Sequence, residues 1–404
     1  MSSPAAVHAH RAGGAAILAL SVASVTMFMI PYSTQAIIPA IGRGLAVGPA
    51  VTGLTITVVV VGIGVGAWLT GPLSDRIGRR RVMFASCALL AIPTALIAFV
   101  PGIVELLLLR ALQGLLIPGL LTVATAYIYE AFPHHRVPTV VGIYTSSLVL
   151  GGLLGREIPA FAIDALGWRG SLAVLAVPVL ISAALIRLLL PEAPPPPRAR
   201  SPLRAVRAHL ANTPLLLNAF AAGTTFFGYV GLFSVLAYRL ESSVFGMSPT
   251  QVGAFYVIWL VGALAPFALR IASRLGPRRV LPVFPIIAAV GLALATPASL
   301  PLMVIGMTLL AGSLFFMVGV AQLLVPLLTA RDRGSAMSLH LTIYYLLGSL
   351  GPFALGAAWG AWGWTGAVIL AFGSLAVALL LTVALRRAAL RGESPEAETT
   401  PLLS

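Results

Sequence analysis

Twelve apolar runs of about 20 residues, the length that a helix needs to cross a bilayer, occupy most of this chain. With 59% hydrophobic and 9% charged residues among 404, the chain has more apolar surface than a soluble core of that size can hide. It is therefore predicted to be an all-α, polytopic membrane protein. The predicted transmembrane helices lie at 14–41, 49–72, 82–100, 103–129, 138–163, 170–190, 212–237, 250–270, 280–298, 301–328, 335–361 and 365–386.

The arginines predict which loops face the cytoplasm. All 25 basic residues are Arg, and 20 of them fall in segments that an even number of spans places on one side. Only Arg43, Arg169 and Arg239 fall on the other side, and positively charged loops stay in the cytoplasm. Both termini are thus predicted to be cytoplasmic. This distribution argues against a nucleic-acid partner, and the single cysteine, Cys87, excludes a disulfide framework or a cysteine-based metal site within one chain.

A proline- and arginine-rich stretch divides the chain into two halves. Residues 191–211 contain four consecutive prolines followed by four arginines, a composition that favours an extended cytoplasmic linker. The flanking segments are predicted to be an N-terminal six-helix bundle at 14–190 and a C-terminal six-helix bundle at 212–386. Residues 1–13 and 387–404 are predicted to be cytoplasmic tails.

The two halves share a degenerate repeat. A shift of 198 residues places Gly276 on Gly78, and a shift of 196 residues places the Gly-Trp pair at 363–364 on that at 167–168. Two matches at nearly one offset predict pseudo-symmetric halves related by a parallel repeat.

The loop between the second and third runs carries the most specific motif. It resembles the G-x-L-a-D-r-x-G-r-r signature of major facilitator superfamily transporters, and the matching residues are Gly71, Asp75, Arg76, Gly78, Arg79 and Arg80. The resemblance implies a latch between the two halves on the cytoplasmic side. Ser273 stands at the position equivalent to Asp75, so the latch is expected to be asymmetric.

The fifth run resembles the antiporter signature of drug-extruding members of that superfamily. Gly142, Gly151 and Gly155 keep its spacing, whereas Arg156 stands where the signature has proline. The Gly-Gly-x-x-Gly-Arg form resembles drug:proton antiporters of the acriflavine-sensitivity subgroup. Small residues also allow close helix approach, so packing alone is the alternative explanation for these glycines and for their second-half counterparts, Gly351 and Pro352.

Charged residues inside the runs are candidates for proton coupling, because charge at membrane depth is costly and is paired or functional. Arg110 with Gln113 resembles the R-x-x-q-G element of the fourth helix, and Glu157 is the one acid well inside a run. Arg110 and Glu157 are expected at similar depth, where they can pair. A static ion pair is the alternative interpretation. The proton-coupling candidates are Arg110, Arg156, Glu157 and, as a second choice, His340.

Aromatic and amide side chains cluster in runs that this family uses to line its cavity. The predicted cavity residues are Tyr32, Gln35, Gln113, Phe226, Tyr229, Trp259, Tyr344 and Tyr345. Such rings hold amphipathic molecules by stacking and apolar burial. The chain has neither a P-loop nor an intramembrane zinc motif, so no cofactor, metal or enzymatic activity is expected.

The resemblance implies a secondary transporter that acts by alternating access. The preferred function is proton-coupled efflux of small amphipathic compounds across a bacterial inner membrane by a monomer whose partners are its substrate, protons and the lipid bilayer. Transport of a small anionic solute is the first alternative, because Arg110 and Arg156 leave the cavity positive when Glu157 is neutral or turned away. A membrane scaffold or sensor without transport activity is the rival from another class.

Overall fold

The computed structural model describes residues 13–192, 209–329 and 333–392, and within them it contains helices and turns but no strand. Most of the predicted N-terminal tail, most of the proline-rich linker and the C-terminal tail from residue 393 lie outside these ranges. The last helix continues to Gly392, beyond the predicted start of the tail at residue 387.

The first half contains six spans. They are α1 (Gly14–Leu45), α2 (Pro49–Ile77), α3 (Arg79–Phe99), α4 (Ile103–Ala131), α5 (137–166) and α6 (168–189). The backbone hydrogen bonds continue from α5 into α6, but the helix is kinked at Gly167, whose φ is +64°. A 3₁₀ turn at Gln35–Ile37, just after Pro31, interrupts α1.

The second half also contains six spans. They are α7 (Thr213–Glu241), α8 (Pro249–Leu275), α9 (Pro277–Leu294), α10 (Leu300–Leu327), α11 (333–361) and α12 (364–392). The side chains of Ser248 and Gln251 form a capping box at the start of α8. A nine-residue 3₁₀ stretch, Tyr256–Leu264, then occupies the middle of α8. Runs of 3₁₀ helix longer than about four residues are uncommon and often mark a hinge.

The repeat predicted from the sequence is visible in the backbone. Gly78 and Gly276 both have positive φ, +100° and +90°, where they separate α2 from α3 and α8 from α9. Gly167 and Gly363, with φ +64° and +60°, separate α5 from α6 and α11 from α12. These conformations suit glycine because it has no Cβ. The prediction of twelve transmembrane helices in two pseudo-symmetric bundles is confirmed. We call the end with the Gly78 and Gly276 turns the inner end and the opposite end the outer end.

Polar contacts join the two halves at the outer end and near the middle of the spans. At the outer end, Arg43 pairs with Glu241 at 2.9 Å, and the Thr52 and Tyr238 hydroxyl oxygens lie 2.9 Å apart. Further inward, Trp68 Nε1 donates to Thr342 Oγ1 at 2.9 Å. The two halves are therefore held together at the outer end in this structure.

Glycines bring helix backbones together within each half. A Cβ at Gly151 or Gly155 would collide with the carbonyl oxygen of Val25 or Met29 in α1, and a Cβ at Gly351 would collide with that of Phe227 in α7. The Pro352 carbonyl packs against Gly53 in the first half. Gly142 differs, because a Cβ there would meet no atom within 4 Å. In this structure the α5 glycine spacing serves packing at Gly151 and Gly155 but not at Gly142.

We expect Gly155→Ala to lower the thermal midpoint of the purified protein in detergent. The added methyl group has no room against the α1 backbone, and overpacking of this kind costs about 1–3 kcal/mol. Gly142→Ala is the matched control and should leave the midpoint unchanged. Equal midpoints for the two variants would contradict the close α1–α5 contact.

Candidate substrate-binding site

Arg156 lies in α5 between the two halves and is completely buried. Its Nε donates to Oε1 of Gln35 in α1 at 2.7 Å, and its Nη1 donates to the carbonyl oxygen of Gly152. Its Nη2 is buried and has no hydrogen-bond partner among the residues that the structure describes. The guanidinium is therefore held in place but keeps one unused donor group.

Aromatic rings from both halves surround this guanidinium. Its Cζ lies 3.8 Å from the ring centroid of Trp259, 4.5 Å from that of Tyr32 and 5.1 Å from that of Tyr256. A cation over an aromatic face is attracted by the ring quadrupole, and the attraction reaches roughly 2 kcal/mol or more when the pair is desolvated. The rings thus supply part of the electrostatic stabilisation that a carboxylate would give.

Gly152 makes room for Trp259. A Cβ at position 152 would stand 2.7 Å from the indole Nε1, which is closer than real Cβ contacts. Any larger residue would therefore push the indole away from Arg156. The sequence analysis counted the α5 glycines as helix contacts and missed this role, since no local signal distinguishes a glycine that faces a ring from one that faces a backbone.

Two further buried donors lie in this cluster without partners among the described residues. They are Nε1 of Trp259 and the hydroxyl of Tyr229, whose rings lie 5.9 Å apart. The Tyr256 hydroxyl differs, because it donates to the carbonyl oxygen of Phe233 at 2.7 Å. Gln35 Nε2 also reaches Oγ of Ser234 in α7 at 3.4 Å, a partner that the sequence analysis did not identify.

Arg110 has a different environment from Arg156. Its guanidinium donates to the carbonyl oxygens of Ile30, Pro31 and Thr55 at 2.9–3.1 Å, and also to the side chains of Ser33 and Gln113. Ile30 and Pro31 lie in the last turn of the first helical segment of α1, where the negative end of the helix dipole attracts cations. Arg110 therefore stabilises the interruption in α1.

The expected pairing of Arg110 with Glu157 is wrong for this structure. Glu157 is half-buried and faces α8, where a Cβ at Gly253 would stand 3.6 Å from its Oε2. Neither Arg110 nor Arg156 forms an ion pair with any described residue. The reason is geometric, since backbone carbonyls use the donors of Arg110, whereas Glu157 and Arg156, adjacent on α5, point to different neighbours.

We call Arg156 with Tyr32, Gln35, Tyr229, Tyr256 and Trp259 the Arg156 cluster. Other predicted cavity residues make their hydrogen bonds and ring contacts elsewhere. Gln113 is buried and donates to Thr94 in α3 at 2.9 Å, so it belongs to the interior of the first half. Phe226 stacks on Tyr344 with ring centroids 4.4 Å apart, and Tyr345 packs against both rings. His340 is fully buried in α11, and neither ring nitrogen has a partner among described residues.

The inner-end loop forms a charged cluster around Arg79. Its guanidinium pairs with Asp75 at 2.6 Å and with Glu130, at the end of α4, at 2.9 Å, and it also donates to Ser74. Arg80 donates to the carbonyl oxygen of Arg187 in α6. A Cβ at Gly71 would meet no atom within 4 Å, and the Gly71 carbonyl oxygen accepts from Ser74 Oγ at 2.7 Å. Gly78 supplies the turn that directs Arg79 back toward α2.

The polar contacts of this loop all stay within the first half among the described residues. The predicted latch to the second half is thus not formed in this conformation and stays a prediction for another one. Sequence analysis missed Glu130, because its position at the end of α4 gave no signal of a partner 51 residues away.

The described residues form twelve spans in two related halves with a buried charged cluster between them, an arrangement typical of two-bundle membrane transporters. A family model described as Major Facilitator Superfamily matches residues 16–263 and 219–404. The chain belongs to the Major Facilitator Superfamily.

Two relatives and one solved structure are similar to this chain. The inner membrane transport protein YnfM of Escherichia coli is 31% identical over 376 residues, which cover 92% of this chain and 90% of that protein. The multidrug resistance protein MdtM of Escherichia coli is 31% identical over 174 residues, which cover 42% of each chain. The crystal structure of a D-xylose-proton symporter has a TM-score of 0.75 at 16% identity and covers 96% of this chain and 99% of that one, a likeness of fold alone.

We expect Arg110→Lys to lower the thermal midpoint even though the charge is kept. Lysine cannot reach all five acceptors, and each buried polar group left unsatisfied costs about 1–3 kcal/mol. Arg43→Lys, at an exposed ion pair, is the matched control and should have little effect. A midpoint for Arg110→Lys equal to that of the wild type would show that Arg110 does not stabilise α1.

Proposed function

We propose that this protein is a secondary transporter that exports small amphipathic compounds across a bacterial inner membrane by alternating access. One observation carries the proposal. The aromatic cluster around Arg156 is built by α1 and α5 of the first half and by α7 and α8 of the second half. A site made by both bundles changes its exposure when they rock against each other.

The contacts between the halves support this cycle. The Arg43–Glu241 pair and the Thr52–Tyr238 contact close the outer end, so substrate release outward requires them to separate. We further propose that the Asp75 and Arg79 cluster latches the inner end when the outer end opens. The partial similarity to MdtM, named a multidrug resistance protein, supports efflux, and we propose that the chain belongs to the drug:proton antiporter subgroup.

We propose proton coupling through Glu157. This acid lies beside α8 at the contact between the halves, where rocking changes its access to water. A carboxyl group moved between water and an apolar contact gains or loses a proton as its environment changes. The buried His340 is the second candidate for this role.

A second candidate function is the transport of a small anionic solute. It is favoured by the absence of any ion pair between Arg156 and the described residues. For either function we propose a monomer with both termini in the cytoplasm, an N-terminal bundle at 14–190 and a C-terminal bundle at 212–386.

We expect Glu157→Gln to abolish transport driven by a pH gradient while substrate binding remains. The amide keeps the shape of the side chain but cannot carry the proton. Proteoliposomes containing an internal pH-sensitive dye would report proton movement on addition of a panel of cationic, neutral and anionic amphipathic compounds.

Glu105→Gln, at an exposed acid near the start of α4, is the matched control and should behave as the wild type. Full gradient-driven flux in Glu157→Gln would remove Glu157 from the coupling mechanism. Absence of flux for every compound with the wild-type protein would contradict the proposed transport function itself.

A further inference from the structure

Arg156 is a charge buried between the two helix bundles, and none of the described residues forms an ion pair with it. Its neighbours are three ring faces, one amide oxygen and one backbone carbonyl. Such groups stabilise a guanidinium but do not neutralise it, and an unneutralised charge at this depth is costly. A negative charge placed beside Arg156 would therefore be stabilised.

The unused hydrogen-bonding groups in this cluster are donors. Arg156 Nη2, Trp259 Nε1 and the Tyr229 hydroxyl are buried and have no partner among the described residues. Arginine and the indole can donate but cannot accept, so neither can use a donor from a ligand. A carboxylate is the complementary group, since it only accepts and its two oxygens receive up to about four hydrogen bonds.

The surroundings of these donors also restrict the rest of the ligand. The rings of Tyr32, Trp259 and Tyr229 form a continuous group with centroid separations of 5.3 and 5.9 Å. Flat apolar surface suits a planar or cyclic body. One guanidinium balances one negative charge, so a second carboxylate would be buried without a partner.

We propose that the transported compound is a small monocarboxylate with a planar apolar body, and that its carboxylate binds Arg156. This inference rests on the proposed transport function and names its substrate class. The carboxylate accepts from Arg156 Nη2 and from a second donor of the cluster, while the body packs among the rings. Such a compound is both amphipathic and anionic, so it satisfies both substrate classes that the sequence analysis considered.

Trp259 links binding to helix movement. In this structure its indole covers the guanidinium, and Arg156 Nη2 is buried, so a ligand reaches the charge only when α8 shifts. Both Tyr256 and Trp259 lie on the 3₁₀ stretch Tyr256–Leu264, a backbone geometry poorer in hydrogen bonding than α-helix. The anion replaces the ring faces as the partner of Arg156 and thereby releases α8 from α5.

Equilibrium binding of three matched probes to the purified full-length protein tests this inference. Benzoate, benzamide and benzylamine share a ring and differ in charge. The wild-type protein should bind benzoate at least tenfold more tightly than benzamide or benzylamine. Arg156→Gln should lose this preference and keep the affinity for benzamide, whereas Arg156→Lys should keep part of the preference.

Arg239→Gln is the matched control, because Arg239 also lies over aromatic rings, those of Phe245 and Trp364, but outside the cluster. It should bind benzoate as the wild type does. Benzoate should also change tryptophan emission in the wild type, and Trp259→Phe should remove that change. Thermal melts of each variant establish that it is folded.

The outcomes separate this inference from the proposed function. Equal binding of benzoate and benzamide by the wild type, or a benzoate preference retained in Arg156→Gln, would overturn the anion site. Flux of neutral or cationic compounds in proteoliposomes, without benzoate flux, would overturn it too but leave the proposed transport standing. Selective benzoate binding without flux of any compound would support the site and contradict transport.

Discussion

The burial of two guanidinium groups inside a membrane domain is the constraint on which this structure depends. A buried cation must find acceptors or an anion, and neither Arg110 nor Arg156 has a carboxylate partner among described residues. Arg110 donates to backbone carbonyl oxygens beside the interruption of α1. Arg156 finds aromatic faces, which stabilise the charge but leave one nitrogen without a partner. The first arrangement satisfies the guanidinium, whereas the second leaves a donor group for the proposed ligand.

The two halves of the repeat differ at the position of the buried Arg156 charge. A shift of 196 residues places Arg156 on Pro352, so the second half keeps the Gly-Pro pair where the first half has Gly-Arg. The second half instead supplies rings, through Tyr229, Tyr256 and Trp259. A cation on one bundle with two of its ring partners, Tyr256 and Trp259, on the other makes the contact between the halves sensitive to whatever binds Arg156. The same asymmetry holds at the inner end, where the second copy of the loop has Ser273 in place of Asp75.

The fold could be predicted from the sequence because run length, arginine distribution and the repeat all depend on local composition. Gly78 and Gly276 were aligned from sequence, and both have the positive φ that such a turn needs. The partners of charged residues could not be predicted, because they depend on how helices rotate against each other. Glu157 and Arg110 lie at similar depth along their helices, yet one faces α8 and the other α1. Likewise, no sequence signal distinguished Gly152 from its neighbour Gly151, yet in the folded chain Gly152 makes room for the Trp259 ring.

The central claim is that Arg156 binds the carboxylate of the substrate. Crystals grown with 4-bromobenzoate test it most directly, because anomalous scattering from bromine locates the ligand independently of its density. The account predicts a bromine peak among the rings of the Arg156 cluster, a carboxylate oxygen within hydrogen-bonding distance of Arg156 Nη2, and Trp259 displaced from the guanidinium. A ligand bound elsewhere in the bundle, with Trp259 still over Arg156 as it is here at 3.8 Å, would contradict it.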